Sequence, residues 1–189
     1  MALKIKLKIA SIQRPPVWRL VLVPEHFTFD QFHMIIQKVF GWSDSYGYQF
    51  SPEEYGLNPT IGLPSEDVGD IPDLDARKTR LKDIFKEEKQ KFIYIYDFGD
   101  EWIHEITLEK ILPERIQFAS CIEGMGNCPP EGCGGPWGYE RIKEILRNPE
   151  HEDFEEIREW FGLSEDDNDE VWDENYFDLE EVNERLNEL

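Results

Sequence analysis

The chain has 189 residues with 20 basic and 41 acidic side chains, a net charge of −21, and 40% of its residues are hydrophobic. That length and composition predict one globular domain over residues 1–189 with a substantial core. A surface this acidic repels phosphate backbones, so direct DNA binding is not expected. No apolar run could cross a bilayer and the start of the chain has no signal-peptide pattern, so no membrane association is expected either.

The charge is unevenly distributed: residues 1–48 carry a net +3, residues 49–149 a net −8 and residues 150–189 a net −16. We interpret the acidic part 150–189 as helical and solvated, with an interaction tail as the alternative. Three cysteines without a secretion signal favour a reducing cytoplasm over a disulfide framework.

The first 50 residues predict two strands, a helix and a third strand. Apolar residues alternate with lysines over residues 3–9, which predicts a half-buried strand near a sheet edge. After two prolines, the apolar run 17–23 predicts an antiparallel partner. Thr28 and Gln31 form a capping box that opens a helix, and Gly41 ends it. The aromatic residues at 46, 48 and 50 predict the third strand.

The central stretch predicts a hairpin. Apolar runs over 92–98 and 101–108 flank Gly99-Asp100, which is typical of a two-residue turn. That register pairs Asp97 with Trp102, and it makes Asp97 and His104 diagonal neighbours with Cβ atoms roughly 7 Å apart.

The remaining segments are a long acidic loop, one strand and several helices. Residues 51–79, rich in proline and in acidic residues such as Glu66, Asp67 and Asp70, predict the loop. A last strand is predicted at 117–122, and Ser164–Glu170 reads as an acidic linker. Helices are predicted at 81–86, 138–147 and 153–161 and after a cap at Asp178. Together these elements predict an α+β fold: a mostly antiparallel sheet of about five strands with helices packed on it, and a helical C-terminal third.

Several residues are candidates for chemistry. Asp97, Asp100 and His104 could form a metal or acid–base site, although Asp100 also suits a turn and His104 also suits a core. The loop at 128–137 could hold a ligand against a helix N-terminus, but its prolines remove donors and it has no Lys or Arg. We therefore interpret that loop as structural. The candidate functional cluster is Asp97, Asp100, Trp102, His104, Glu131 and Trp137.

The three cysteines could bind zinc, with His104 or His151 as a fourth ligand. Cys121, Cys128 and Cys133 are spaced C-x6-C-x4-C, and only the second pair approaches the usual zinc knuckle. Small buried thiols without a metal are the preferred interpretation.

Several motifs resemble one family along nearly the full chain. They are RPPVWRLVLVP, FGW before YGYQF, YDFGDEWIHEI, CPPEGCGGPWGYE, and the late Pro149, Trp160 and FDL. The chain resembles the Ri-plasmid Orf-three-like family, whose members are often labelled TnpR-type resolvases or insertion-element passengers. The resemblance implies an α+β domain and a mobile-element neighbourhood, and it implies no demonstrated activity. Gly132 stands where the family usually has Asp, so any role of that Asp is absent here.

Two functions remain open at this point. A serine resolvase needs a nucleophilic serine among arginines and a basic DNA-reading module, and this sequence offers neither, so recombinase activity is not expected. A non-enzymatic module that binds a protein partner is preferred. The alternative is a metal-dependent hydrolase-like enzyme that uses Asp97, Asp100 and His104.

Overall fold

The computed structural model describes residues 1–52, 57–64, 71–161, 163 and 172–189. Within these ranges the chain forms eight strands: β1 (Ala2–Gln13), β2 (Pro16–Pro24), β3 (Tyr48–Pro52), β4 (Ile61–Gly62), β5 (Leu74–Asp75), β6 (Lys91–Tyr96), β7 (Trp102–Leu112) and β8 (Ser120–Met125). In the same described part it forms five helices: α1 (Phe29–Phe40), α2 (Leu81–Ile84), α3 (Gly135–Leu146), α4 (Phe154–Trp160) and α5 (Leu179–Leu186).

The strands form one sheet in the order β5-β4-β3-β6-β7-β1-β2-β8. Neighbours are antiparallel except β4 and β5, which run parallel, so the sheet is mixed. The α+β class and the mostly antiparallel pairing are confirmed, whereas the predicted number of strands is wrong, since the described residues form eight strands and not about five. The sequence gives no periodic signal for β4 and β5 because each is two residues long.

Strand β1 lies inside the sheet, between β7 and β2, and not near an edge as predicted. Its residues Leu3, Ile5, Leu7 and Ile9 are buried in the core, while its lysines are half-buried on the other face. The Nζ of Lys6 lies 4.3 Å from the centre of the Trp18 ring on β2. The alternating lysines therefore indicate the polar face of a central strand, since long lysine side chains can lie along a sheet and still reach water.

Helix α1 packs its apolar face into the core, as predicted. The Thr28 side chain accepts from the backbone N–H of Gln31, the Gln31 side chain accepts from the backbone N–H of Thr28, and Gly41 ends the helix in the left-handed conformation. Burying each large apolar side chain contributes about 1.5–3 kcal/mol. The buried apolar residues are Phe29, Phe32, Ile35, Ile36, Val39 and Phe40.

The central hairpin exists, but its predicted register is wrong by one residue. Tyr96 pairs with Trp102 and Tyr94 pairs with His104, so the connection is the five-residue loop 97–101. A one-residue slip moves every side chain of a strand to the other face. Asp97 is thus outside β6, and the predicted diagonal pair of Asp97 and His104 does not form.

The described residues of the C-terminal third are less regular than predicted. β8 covers Ser120–Met125, α3 begins at Gly135, and none of the residues of α4 is buried. Trp160 of α4 is exposed. Asp178 caps α5 as predicted, with its carboxylate accepting from the N–H groups of Glu180 and Glu181, and Val182 and Leu186 reach the core.

Parts of two predicted acidic segments lie outside the described residues. Glu66, Asp67 and Asp70 belong to residues 65–70, and the whole linker Ser164–Glu170 falls within 164–171. The described remainder of the acidic loop contains β4 and β5, and Ala76 within it is fully buried. Among the described residues, no helix combines the length and the apolar character that crossing a membrane requires.

Candidate functional site

The loop 97–101, which we call the hairpin tip, is fixed from within by Asp97. Asp97 and Glu101 have positive φ angles of 57° and 53°. The Asp97 carboxylate accepts from the backbone N–H of Gly99 at 2.9 Å and of Asp100 at 3.3 Å, and its carbonyl accepts from the N–H of Glu101 at 2.7 Å. This is an aspartate turn, in which the side chain replaces a backbone acceptor. Asp97 is therefore committed to the loop and makes no contact with His104.

Replacing Asp97 by Asn is expected to lower the free energy of unfolding by less than about 0.5 kcal/mol, because Asn keeps the acceptor and tolerates positive φ. Asp97→Ala is expected to cost about 1–2 kcal/mol, since two N–H groups lose their acceptor and alanine is strained there. Urea unfolding measures both. An Asn variant as unstable as the Ala variant would show instead that the charge of Asp97 is what matters.

Trp102 and His104 lie in the core. They are 1% and 0% exposed and sit among the rings of Phe40, Trp42 and Tyr94. The Nδ1 of His104 lies 2.9 Å from the carbonyl oxygen of Trp102, which can only accept, so Nδ1 carries the proton. Among the described residues, neither His104 Nε2 nor Trp102 Nε1 has a hydrogen-bond partner. Burial lowers the pKa of His104 to about 3.

This depressed pKa predicts acid sensitivity. With a folded pKa of about 3 against 6.5 unfolded, the unfolded chain binds the extra proton between these values, so stability is full above pH 6.5 and falls as the pH falls. The His104 contribution is expected to decline by about 2 kcal/mol between pH 7 and pH 5. Unfolding measured at both pH values in the parent and in His104→Gln checks this. Equal pH dependence in the two proteins would contradict it.

Glu131 is held at the tip by the neighbouring strand and loop. Its carboxylate accepts from the backbone N–H of Ser43 at 2.9 Å, from the Ser43 hydroxyl at 2.5 Å and from the hydroxyl of Tyr96 in a short hydrogen bond. The Trp42 indole N–H donates to the carbonyl of Pro129 at 2.8 Å. Burial and, to a smaller extent, the hydrogen bond to this carboxylate raise the pKa of Tyr96 above its ordinary value. Glu131 thus anchors the 128–137 loop, which agrees with the interpretation of that loop as structural.

The hairpin tip also abuts the start of α3 through two glycines. The N–H of Gly134 donates to the Asp100 carboxylate at 3.3 Å. At Gly135, where φ is +68°, an added Cβ would lie 2.5 Å from the carbonyl oxygen of Asp100. Only glycine allows this approach. Trp137 follows directly in the first turn of α3, and its side chain is 89% exposed.

The three cysteines do not come together as a metal site. Cys121 is buried on β8, and Cys128 and Cys133 are half-buried in the loop before α3. In the described ranges, no group of three or more His, Cys, Asp or Glu side chains is placed to hold a metal ion. Burial raises the pKa of Cys133 to about 12, so this thiol is neutral at physiological pH. The geometry gives no observation in favour of a hydrolase that uses Asp97, Asp100 and His104.

A polar network around His33, which was not predicted from the sequence, lies behind the residues of the tip. His33 lies with Nε2 2.7 Å from the Asp44 carboxylate and Nδ1 2.8 Å from the Tyr94 hydroxyl. Gln37 joins the same groups, donating to the Tyr94 hydroxyl and accepting from the Asp44 N–H, each at 3.0 Å. Burial lowers the pKa of His33, against the effect of Asp44. The only signal in the sequence is the polar pair four residues apart, His33 and Gln37, on the apolar face of a helix.

Around these anchors lies one exposed patch, which we call the tip surface. It carries the exposed rings of Tyr46, Phe98 and Trp137 and the carboxyl groups of Asp44, Asp100, Glu101 and Glu131, whereas Asp97 is buried beneath it. The Phe98 ring packs over Gly47, where an added Cβ would lie 2.9 Å from it. Of the six predicted cluster residues, Asp100, Glu131 and Trp137 meet at this surface, while Asp97 is buried within the hairpin tip and Trp102 and His104 lie in the core.

In its described residues the chain is an α+β protein with one eight-stranded mixed sheet. It presents an acidic, aromatic patch at a hairpin tip. The chain belongs to the plasmid pRiA4b ORF-3-like family, whose profile matches residues 1–181. It is 39% identical over 155 residues to the uncharacterized protein y4hQ of Sinorhizobium fredii NGR234, covering 81% of this chain and 77% of y4hQ.

A solved structure confirms the fold. The crystal structure of MM3350, a protein of unknown function from Methanosarcina mazei Go1, superposes on this chain with a TM-score of 0.81 and 35% sequence identity. The match covers 96% of this chain and 97% of that one. The profile match over residues 1–181 confirms the family that the sequence motifs indicated.

Proposed function

We propose that this protein is a non-enzymatic binding module that docks a protein partner on the tip surface. The observation that carries the proposal is Trp137, whose ring is 89% exposed although it stands on an ordered helix. Tryptophan is the residue most enriched among the side chains that dominate binding at protein interfaces. An exposed indole contributes little to the core, so its position is better explained by an external contact.

The rest of the tip surface supports the same proposal. Phe98 and Tyr46 are 48% and 43% exposed, and exposed apolar groups gathered in one patch mark interaction sites more often than scattered ones do. Carboxyl groups surround these rings, so the patch is negatively charged. Complementary charge on a partner would favour specific binding to it.

The tip surface is also held rigidly, which favours binding. Asp97 fixes the hairpin tip from within, Glu131 ties the 128–137 loop to Ser43 and Tyr96, and Gly135 lets α3 approach the tip. A surface that is already ordered loses less conformational entropy on association than a mobile loop does. These anchors explain polar residues that would otherwise suggest catalysis.

The experiment compares two exposed tryptophans. A photo-crosslinking residue at position 137 would identify the partner in cells, and proteins encoded on plasmids and mobile elements are the first to examine because of the family resemblance. The affinity of the purified partner is then measured by calorimetry for the parent, Trp137→Ala and Trp160→Ala. Trp160 is the control because it is also exposed, on α4.

We expect Trp137→Ala to weaken binding at least about tenfold, as truncation of a dominant interface residue does, and Trp160→Ala to leave it within about twofold. Both variants should keep the parent's unfolding temperature, since neither ring lies in the core. Equal affinities for the parent and Trp137→Ala would refute the tip surface as the docking site.

We also propose that the partner is not DNA, and we predict no tight binding to duplex DNA. The net charge of −21 gives few phosphate contacts and strong repulsion. Titration of a fluorescent 30-base-pair duplex at about 150 mM salt should give no sub-micromolar affinity. Sub-micromolar binding that weakens steeply with added salt would contradict the prediction.

A further inference from the structure

A cleft of about 440 Å³ opens at the tip surface, between the hairpin tip and the first turn of α3. Trp137 and Pro136 form its helical side, and Gly99, Asp100 and Glu101 form the opposite side. Ile103 and Ser11 also line it, and Glu140 lies one turn further along α3. The cleft therefore combines the indole of Trp137 and two apolar residues, Pro136 and Ile103, with three carboxylates.

The carboxylates of the cleft are incompletely paired. Glu140 forms an ion pair with the buried Nζ of Lys143 at 2.6 Å. Asp100 uses one carboxylate oxygen for the N–H of Gly134, in a long hydrogen bond of 3.3 Å. Within the part of the chain that the structure describes, the exposed Glu101 carboxylate forms neither an ion pair nor a hydrogen bond. The cleft thus keeps a net negative charge beside an indole face.

We propose that this cleft binds an arginine side chain of the partner, an inference that rests on the proposed docking function. A guanidinium is planar, so it can stack on the indole of Trp137 while its N–H groups donate to the carboxylates of Asp100 and Glu101. Its fork of donors matches carboxylate geometry, and it is more weakly hydrated than an ammonium, so arginine is preferred over lysine. An anionic ligand would meet only repulsion here.

The test uses blocked tripeptides, acetyl-Gly-X-Gly-amide, in which X is arginine, lysine or the neutral arginine analogue citrulline. The readout is the nitrogen-15 NMR spectrum, which resolves the tryptophan indole N–H signals and the backbone amides of the hairpin tip. We expect the arginine peptide to shift the indole signal of Trp137 and the amides of Asp100 and Glu101, with a millimolar Kd. The lysine peptide should bind more weakly, and citrulline should cause no shift.

Three variants test which side chains of the cleft contact the arginine. Trp137→Ala should weaken arginine binding about fivefold through loss of stacking, and Glu101→Gln should weaken it about threefold through loss of charge. Glu114→Gln changes the net charge equally but lies beyond the far end of β7, roughly 30–35 Å along the strand from the tip. It should leave the affinity unchanged and so excludes a general effect of the acidic surface.

Two results would overturn the inference: equal shifts with arginine and citrulline, or equal weakening by Glu101→Gln and Glu114→Gln. The two proposals can also fail separately. If Trp137→Ala loses the protein partner but the arginine peptide does not bind, the docking function stands and the arginine inference fails. If the peptide binds while partner affinity is unaffected by Trp137→Ala, the cleft chemistry stands and the docking proposal fails.

Discussion

Replacing Arg19 by methionine is expected to lower the free energy of unfolding by about 3 kcal/mol or more. The guanidinium is 3% exposed and donates to four backbone carbonyls, which are Val39 at 3.0 Å, Trp18 and Met125 at 2.9 Å each, and Gly126 at 3.1 Å. It also lies over the rings of Phe40 and Phe177.

The change in the free energy of unfolding for Arg19→Met is the sum of two opposing contributions. Methionine removes the cost of burying a cation, but four carbonyls lose a donor, and each unsatisfied buried acceptor costs about 1–3 kcal/mol. Arg19 joins β2, the end of α1 and the segment that leads into the 128–137 loop, so its loss should loosen the support of the tip surface as well.

Urea unfolding of Arg19→Met, Arg19→Lys and Arg14→Met measures the effect. A lysine ammonium cannot span four acceptors in this geometry, so Arg19→Lys should rescue little of the loss. Arg14 is exposed, and its replacement should change stability by less than about 0.5 kcal/mol. An Arg19→Met variant as stable as Arg14→Met would contradict this interpretation.

Gly135→Ala is expected to have the second large effect, a loss of about 3 kcal/mol. The alanine Cβ would lie 2.5 Å from the carbonyl oxygen of Asp100, which is a backbone atom, and the residue would have to keep a φ of +68°. The start of α3 must therefore move away from the hairpin tip. Because Trp137 stands in that turn, both the cleft and the tip surface should be disrupted.

The loss of stability in Gly135→Ala has two causes, the strain of positive φ and the close contact with Asp100. The variant Gly132→Ala separates them. Gly132 has a similar φ of +72°, but the nearest atom to an added Cβ is the Tyr46 hydroxyl at 3.9 Å, which is ordinary contact. Its replacement should cost only the backbone strain, about 1–2 kcal/mol. Equal losses for Gly132→Ala and Gly135→Ala in denaturant unfolding would show that α3 and the tip are not in forced contact.

Local patterns predicted the elements whose signals are local. The capping box at Thr28 and Gln31, the left-handed Gly41 and the cap at Asp178 all depend on residues within one turn of a helix. The burial of β1 follows from strict alternation, since successive side chains of a strand face opposite sides. These features need no knowledge of the rest of the chain.

The errors arose where distant residues decide the conformation. Gly99-Asp100 suits a two-residue turn, yet Asp97 and Glu101 adopt positive φ and lengthen the loop, and the distant Gly135 packs against its Asp100. Positive φ at non-glycine residues is uncommon and depends on such partners. The pairing of His33 with Asp44 and of Glu131 with Ser43 is likewise set by the fold, since neither spacing predicts a contact.

Hydrogen–deuterium exchange of the protein with and without its purified partner shows whether the hairpin tip and the start of α3 form the docking surface. We expect slower exchange in the partner's presence at residues 97–101 and 131–140, and unchanged exchange in α4. Protection confined to another surface, such as the groove beside the exposed Phe118, with residues 97–101 unaffected, would contradict it.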